Sequence, residues 1–253
     1  MENKEDKQRK YGLVGKNISY SFSKTYFTEK FLDNNLDQCS YQNFDLQDIQ
    51  EFQNLAKNTK DLKGVNITTP YKESVIPFLD TLEKNAAKIG AINTVKFTSN
   101  GLIGYNTDVY GFQKSIEPFL NKHHTKALIL GTGGASKAVA FVFNELKIDF
   151  KYVSRTPKKD GLMYDDLNKT ILSEYAIIVN CTPLGTFPNI ENKPTIPYEH
   201  IETQHLLFDL IYNPEKTAFL KEGENRGATI VNGLRMLQLQ AEKAWEIWNS
   251  DSN

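Results

Sequence analysis

The stretch Ala127-Leu-Ile-Leu-Gly131-Thr-Gly-Gly134-Ala-Ser-Lys-Ala138 decides how this chain folds. The apolar run Ala127 to Leu130 reads as a buried strand, clustered glycines end it, and Ser136 to Leu146 reads as the following helix. Backbone N–H groups at such a turn, together with the positive end of the helix dipole, suit the pyrophosphate of a dinucleotide. Ser136 stands where G-x-G-x-x-G has its third glycine, so the match is to a G-x-G-G-x-x-x-A variant, in which Ala138 permits close helix–strand packing. A tight strand-to-helix turn with no ligand is the competing reading.

A second strand, Phe150 to Val153, lies at the interval of ~20 residues where dinucleotide folds meet the adenosine ribose. An NAD-selective site would end that strand in Asp or Glu. Here it runs into Ser154-Arg-Thr-Pro-Lys158-Lys159, whose cations suit a 2′-phosphate and so favour NADP. A solvated basic turn is the alternative, and Asp160 lies too far along to replace the acid.

The 253 residues, 40% hydrophobic and 24% charged, suffice for two lobes of a soluble globular protein. A net charge of −1 from mixed signs offers no basic surface for nucleic acid, which leaves a small molecule as the expected partner. Cys39 and Cys181 form no C-x-x-C pattern, so neither a disulfide framework nor a metal site is expected, and a reducing cytoplasm fits. Met1 to Lys10 is charged, lacks the apolar core of a secretion signal and reads as a disordered lead-in. No run approaches the ~20 apolar residues of a membrane span.

Upstream of the glycines, strands alternate with helices: Tyr11 to Val14, Lys24 to Asn34, Tyr41 to Phe44, Leu46 to Lys57, Gly64 to Thr69. This order predicts β-α units and a mostly parallel sheet, with Ala91 to Phe97 and Leu102 to Tyr105 as a hairpin. Downstream the alternation repeats, with strands at Ile177 to Asn180, Leu206 to Asp209 and Thr229 to Val231. The fold class is therefore α/β, an N-terminal substrate lobe followed by a Rossmann-like lobe. The final helix, Met236 to Asn249, carries an apolar side that includes Leu237, Ala241, Ala244 and Trp248. Returned to the first lobe, it predicts one domain of residues 1–108 with 236–253 and a second of 109–235.

Val65-Asn-Ile-Thr68-Thr-Pro70-Tyr-Lys72 reads as a strand ending in hydroxyls, then a helix opened by Pro70. A lysine in the first turn opposes the helix dipole, a local conflict that hints at function. Ala91-Ile-Asn93-Thr and Gly104-Tyr-Asn-Thr-Asp108 bring amides and hydroxyls to opposite ends of the hairpin's strands. Asp108 is either a helix N-cap or a carboxylate that orients Lys72 for proton exchange with a reacting oxygen. His123-His124 reads as a solvated loop, Cys181 as a small buried residue, and Trp245 and Trp248 as core.

Six segments together resemble the shikimate dehydrogenases: Gly15 to Ser23, Gly64 to Lys72, Gly90 to Thr94, Gly104 to Asp108, the Gly131 loop, and Asp209 to Pro214 with Gly233 to Gln240. They span roughly residues 11 to 241 in the family's order. The resemblance implies reversible reduction of 3-dehydroshikimate by NADPH in a cytoplasmic enzyme, a monomer or homodimer that needs no metal. It implies that Lys72 is the catalytic acid/base with Asp108 as its partner, and that Ser21, Ser23, Thr68, Asn93 and Gln240 contact shikimate. For NADP it implies Gly131, Gly133, Gly134 and Ala135 at the phosphates, Ser154, Arg155 and Thr156 at the adenosine end, and Thr182, Tyr212 and Gly233 towards the nicotinamide.

The chain departs from the family's G-x-P-I-x-H-S-x-S-P run, with Asn17 for the first proline, Tyr20 for the histidine and Lys24 for the last proline, while Ser21 and Ser23 remain. Ser154 replaces the asparagine of the family's N-R-T run, and Lys158 or Lys159 stands ready to share the arginine's role. The alternatives are a quinate or broad-specificity cyclohexane-carboxylate dehydrogenase and a non-catalytic NADP or metabolite sensor. Retention of both Lys72 and Asp108 argues against the sensor.

Overall fold

In the computed structural model, which describes residues 8–18, 21–156 and 159–250, the chain divides into two units. One comprises Met1–Thr107 with Ala241–Asn253, the other Asp108–Gln240.

The first unit is built from β1 (Arg9–Gly15), α1 (Phe22–Asp33), β2 (Cys39–Asp45), α2 (Glu51–Asn58), β3 (Leu62–Ile67), β4 (Thr81–Leu82), α3 (Lys84–Ile89), β5 (Thr94–Thr98) and β6 (Gly101–Tyr105). Its sheet runs β2-β1-β3-β5-β6-β4. β1 pairs parallel with β2 and β3, and β5 runs antiparallel to both β3 and β6. Two apolar layers cover the faces. Val14, Phe52, Val65, Ile67 and Val95 belong to one, and Tyr11, Leu13, Phe27, Phe31 and Tyr41 to the other. The second layer is completed by Ala241, Ala244 and Trp248 from the end of the chain. Tyr11 stacks on Trp248 at 5.0 Å, and Trp248 Nε1 donates to the Val95 carbonyl at 3.0 Å, so the indole is buried with its polar edge satisfied.

Three expectations are corrected in this unit. Arg9 and Lys10, assigned to a disordered lead-in, belong to β1, where they pair in register with Cys39 and Ser40; Met1 to Lys7 lie outside the described residues. The helix expected from Leu46 begins only at Glu51, because the Glu51 carboxylate accepts the N–H groups of Gln47 and Asp48 and folds that stretch into a turn. Pro70 does not open a helix either. Residues 69–75 form consecutive turns leading to a short 3-10 segment, Ile76–Phe78. The Lys72 carbonyl accepts from Ile92 N–H at 2.7 Å instead of joining a helical ladder, so the dipole conflict inferred for Lys72 does not arise.

The second unit contains α4 (Asp108–Ile116), β7 (Lys126–Leu130), α5 (Gly134–Glu145), β8 (Asp149–Ser154), β9 (Leu162–Met163), α6 (Lys169–Glu174), β10 (Ile177–Asn180), β11 (Leu206–Asp209), α7 (Ala218–Glu224), β12 (Thr229–Val231) and the start of α8 (Leu234–Asn249). The sheet is parallel throughout, in the order β12-β11-β10-β7-β8-β9. Ala127 and Ile129 enter one apolar layer and Leu128 and Leu130 the other, which is why the central strand reads as an unbroken apolar run. The strand order reverses direction between β7 and β10, the switch point at which such sheets take ligands. Among the described residues no helix is long and apolar enough to cross a membrane.

His124, expected in a solvated loop, is buried. Its Nδ1 accepts from Asn121 N–H at 3.0 Å and its Nε2 lies 3.1 Å from the Gln204 carbonyl, which fixes the neutral tautomer with its proton on Nε2. Burial holds its pKa below the usual histidine value.

The closest internal approach in the first unit generates a prediction. A Cβ on Gly64 would stand 2.1 Å from Trp248 Nε1, inside a ring that cannot move without losing its bond to Val95. Gly64→Ala should therefore destabilise the chain by about 1–3 kcal/mol through overpacking. Denaturant unfolding followed by tryptophan fluorescence checks this, and an unchanged midpoint would contradict the packing described.

Candidate functional site

In the first unit, polar residues collect where β3 and β6 end and β5 begins. Antiparallel pairing of Thr94 with Tyr105 brings together the two motifs that the sequence sets at opposite ends of the hairpin's strands. Asn93 Oδ1 accepts from Thr107 N–H at 2.7 Å and its Nδ2 donates to Thr107 Oγ1 at 2.9 Å, so both ends of the amide are assigned. Asn66 Nδ2 donates to Thr94 Oγ1 at 3.1 Å and to the Asn93 carbonyl at 3.3 Å, and Asn66 Oδ1 accepts from the Tyr41 hydroxyl at 2.9 Å. Asn66, Asn93, Thr94 and Thr107 are all buried.

The remaining candidates in this unit lie on short connections. Thr68 follows β3, with its N–H on the Val14 carbonyl; its methyl faces Gly15, where a Cβ would stand 2.5 Å away. Lys72, half-buried, is tied through its carbonyl to Ile92, the neighbour of Asn93. Ser21 is the N-cap of α1, where its Oγ accepts from Lys24 N–H at 3.3 Å. Ser23 is buried. Tyr20 lies outside the described residues.

The second unit begins with Asp108, which is not an N-cap but the buried first residue of α4, directly after Thr107. Gln240 ends the unit on α8, buried, its Nε2 on the Leu237 carbonyl at 2.9 Å. Because its strands are parallel, the glycine loop, Ser154, Thr182 and the segment after Asp209 share one sheet edge. Gly131 has φ +100°, a conformation other residues rarely adopt, and its N–H donates to the Val153 carbonyl at 2.9 Å. Gly133, the N-cap of α5, is different. Its φ is −79° and a Cβ there would meet nothing within 4 Å, so the fold itself does not demand glycine. That open face at the start of a 12-residue helix, with Gly134 and Ala135 in the first turn, is what a close-fitting phosphate needs.

Ser154, buried, donates to the Thr156 carbonyl, and Arg155, Thr156 and Lys159 are exposed one strand over from the glycine loop. Lys158 lies outside the described residues. Gly233 has a backbone reason to be glycine, since a Cβ would lie 2.1 Å from the Leu210 carbonyl oxygen. Among the described residues no cluster of three or more His, Cys, Asp or Glu could hold a metal ion.

The sequence reading quoted Asp209 at a strand end and at the head of a family segment but gave it no role; it is wholly buried at the end of β11. Its carboxylate accepts from Asn180 Nδ2 at 3.0 Å, Ile211 N–H at 3.0 Å and Thr217 Oγ1 at 2.6 Å. Asn180 in turn receives the N–H of Thr182 at 3.0 Å and its hydroxyl at 2.7 Å, so one carboxylate organises the two loops that carry Thr182 and Tyr212. The available signal was an acidic residue closing an otherwise apolar strand. Burial pushes the Asp209 carboxyl up to about 6, against the three donors that hold it down.

Residues 13–95 match the family model for the shikimate dehydrogenase substrate binding domain. A shikimate dehydrogenase (NADP(+)) of Clostridium botulinum is 39% identical over 249 residues, covering 94% of this chain and 95% of the relative. Among solved structures, shikimate dehydrogenase 1 from Peptoclostridium difficile superposes with a TM-score of 0.84 at 36% identity, covering 97% of this chain and 94% of that one. The shikimate 5-dehydrogenase of Thermus thermophilus, solved in complex with NADP(H) and shikimate, gives a TM-score of 0.84 at 29% identity over 96% of this chain and 94% of that one.

Asp209 generates a pH prediction. Its folded pKa of about 6 exceeds the unfolded value near 3.8, so the native state binds that proton more tightly. The contribution is complete below the unfolded value and is lost as pH rises through about 6, on the order of 3 kcal/mol in all. Asp209→Asn has no such proton. Its unfolding free energy relative to the unsubstituted chain should rise between pH 4 and 7, and a difference independent of pH would contradict the assignment.

Proposed function

The chain belongs to the shikimate dehydrogenase family, and on that premise we propose that it is an NADP-dependent oxidoreductase that interconverts 3-dehydroshikimate and shikimate in aromatic amino-acid biosynthesis. The observation that carries this reading is the hydrogen-bonded set Asn66, Asn93, Thr94 and Thr107, from whose strand ends Thr68 and Lys72 emerge. Such a set presents fixed amides and hydroxyls to a polyhydroxylated ring without the cost of ordering them on binding.

When bound, NADPH supplies the hydride that reduces the ring ketone. The chain's own task is the accompanying proton. Lys72 gives it to the oxygen that becomes the alcohol and takes it back in the reverse direction; Asp108 supplies the opposite charge that orients the lysine. Ser21 and Ser23 hold the ring carboxylate, and Thr68, Asn93 and Gln240 hold its hydroxyls. Gly131, Gly133, Gly134 and Ala135 hold the pyrophosphate. Ser154, Arg155, Thr156 and Lys158 hold the adenosine 2′-phosphate, while Thr182, Tyr212 and Gly233 border the nicotinamide.

Two measurements test this, both following NADPH absorbance with 3-dehydroshikimate. Lys72→Ala should lower kcat by at least ~100-fold with little change in shikimate affinity, because proton transfer at the reacting oxygen is worth that much. Near-normal turnover would remove Lys72 from the mechanism. The unsubstituted chain should prefer NADPH to NADH, and Arg155→Ala should erode the preference by raising the NADPH KM about 10- to 150-fold, the worth of a hydrogen bond to a charged group. Equal kcat/KM for the two cofactors would make the cationic turn plain surface, and NADPH binding without any turnover would favour the sensor.

A further inference from the structure

One peptide group in the first unit is held from both sides, and the side chain on one side of it takes no part in the contacts described above. Lys72 stands on the consecutive turns that follow β3, and its carbonyl accepts from Ile92 N–H at 2.7 Å. The same peptide carries the Ala91 carbonyl, which accepts from Asn106 Nδ2 at 2.8 Å. The C=O and N–H of a trans peptide point in opposite directions, so Asn106, the Ala91–Ile92 peptide and Lys72 form one line of hydrogen bonds. Asn106 follows β6, between two residues that hold the next part of the same segment. Asn93 N–H donates to the Tyr105 carbonyl at 3.1 Å, and Thr107 N–H donates to Asn93 Oδ1 at 2.7 Å. A backbone carbonyl only accepts, so the Asn106 NH2 must face Ala91 and its Oδ1 must face away. That Oδ1 is buried and has no hydrogen-bond partner among the described residues. A buried acceptor left unpaired lowers stability, so packing alone would favour an apolar side chain of the same shape, such as leucine. The structure's reason for an amide here is the bond to Ala91.

We propose that Asn106 is a positioning residue for the reaction, acting on Lys72 through the Ala91–Ile92 peptide. This rests on the reading of Lys72 as the group that carries the proton. The Lys72 carbonyl lies outside any helical ladder, so the bond from Ile92 ties its backbone to the strand ends. Ala91 and Ile92 are wholly buried, so water does not take the place of the Asn106 donor if it is removed. The peptide is then free to tilt, and Lys72 tilts with it. A long side chain amplifies a tilt of its backbone at its tip, which is where the proton is exchanged. The Asn106 bond also polarises the peptide and so strengthens the Ile92 N–H as a donor to Lys72. A misplacement of about 1 Å at a reacting group costs about 100-fold in rate, which sets the scale of the effect.

Asn106→Leu keeps the outline of the side chain and removes both the donor and the unpaired oxygen. Steady-state kinetics with shikimate and NADP+ on four chains decide the matter: unsubstituted, Asn106→Leu, Lys72→Ala and the double variant, each checked for folding by circular dichroism. Asn106→Leu should lower kcat about 10- to 100-fold and leave both KM values within about threefold, the pattern of a group that acts on the chemical step. In the Lys72→Ala background it should lower kcat by less than about twofold, because the route runs through the lysine. Asn106→Asp is the second variant, in which one folded chain gains or loses the donor with pH: a carboxylic acid donates to the Ala91 carbonyl and a carboxylate does not. Its kcat relative to the unsubstituted chain should rise at least about threefold as the pH is lowered from 9 to 6, since burial raises the pKa of a carboxyl group. If Lys72→Ala is slow and Asn106→Leu is not, the proposal fails while the reading of Lys72 stands. If Lys72→Ala turns over almost normally, that reading fails and the proposal with it. A loss in Asn106→Leu that spreads over kcat and both KM values, or that is as large without Lys72 as with it, would show a structural role only and overturn the proposal. Should Asn106→Leu not fold, a kcat ratio for Asn106→Asp that does not change with pH overturns it.

Discussion

A buried amide or carboxylate at the end of a strand costs about 1–3 kcal/mol if it is left without partners, and in both units the functional loops take the shapes that avoid this cost. In the first unit, Thr107 folds back beside Asn93 and bonds both ends of its amide, and Tyr41 reaches across from β2 to Asn66 Oδ1. In the second, the Asp209 carboxylate draws in Asn180, Ile211 and Thr217, and Asn180 fixes Thr182. Each network is placed where parallel or antiparallel pairing has run out and the backbone no longer satisfies itself.

The same accounting separates glycines that serve the backbone from one that serves a ligand. Gly131 is required by its positive φ, and Gly233 by the Leu210 carbonyl pressed against it. Gly64 is required by the indole of Trp248. Gly133 answers to none of these constraints, and its open face at the start of α5 is the feature that a strand-to-helix turn with no ligand would not need. For the dinucleotide reading, this absence of an internal reason carries more weight than the number of glycines in the loop.

The first unit covers the two faces of its sheet with different material. α2 and α3 lie in the part of the chain that supplies one apolar layer, whereas the other joins α1 to the last turns of the chain. Tyr41 and Tyr11 sit in this second layer among Phe27, Phe31 and Trp248, and only Tyr41 turns its hydroxyl to the polar strand ends. An aromatic core of this kind gives rigid rings at a small entropy cost, and a phenol edge then becomes a fixed donor.

Local pattern was enough to read most strands of the second unit, because a strand buried on both faces is apolar along most of its length; Ile177–Asn180 and Leu206–Asp209 coincide with the runs seen in the sequence, whereas the two-residue β9 was not read. It was also enough for the glycine loop, for the cationic end of β8 and for the polar ends of the hairpin, whose residue types are set by local geometry and charge. Elements whose partners are remote in sequence were not legible. Pro70 to Val75 reads as a helix until the Lys72 carbonyl is seen to be taken by Ile92, and His124 reads as solvated until Gln204 covers it. Tyr41 and Asp209 look like ordinary strand residues, since nothing beside them in the chain reveals that Asn66, or Asn180 and Thr217, will be their partners. Hydrophobic periodicity is a property of neighbours along the chain, so the sequence alone determines it; the pairing of buried polar groups depends on which strands the fold brings side by side, and only the tertiary structure decides that.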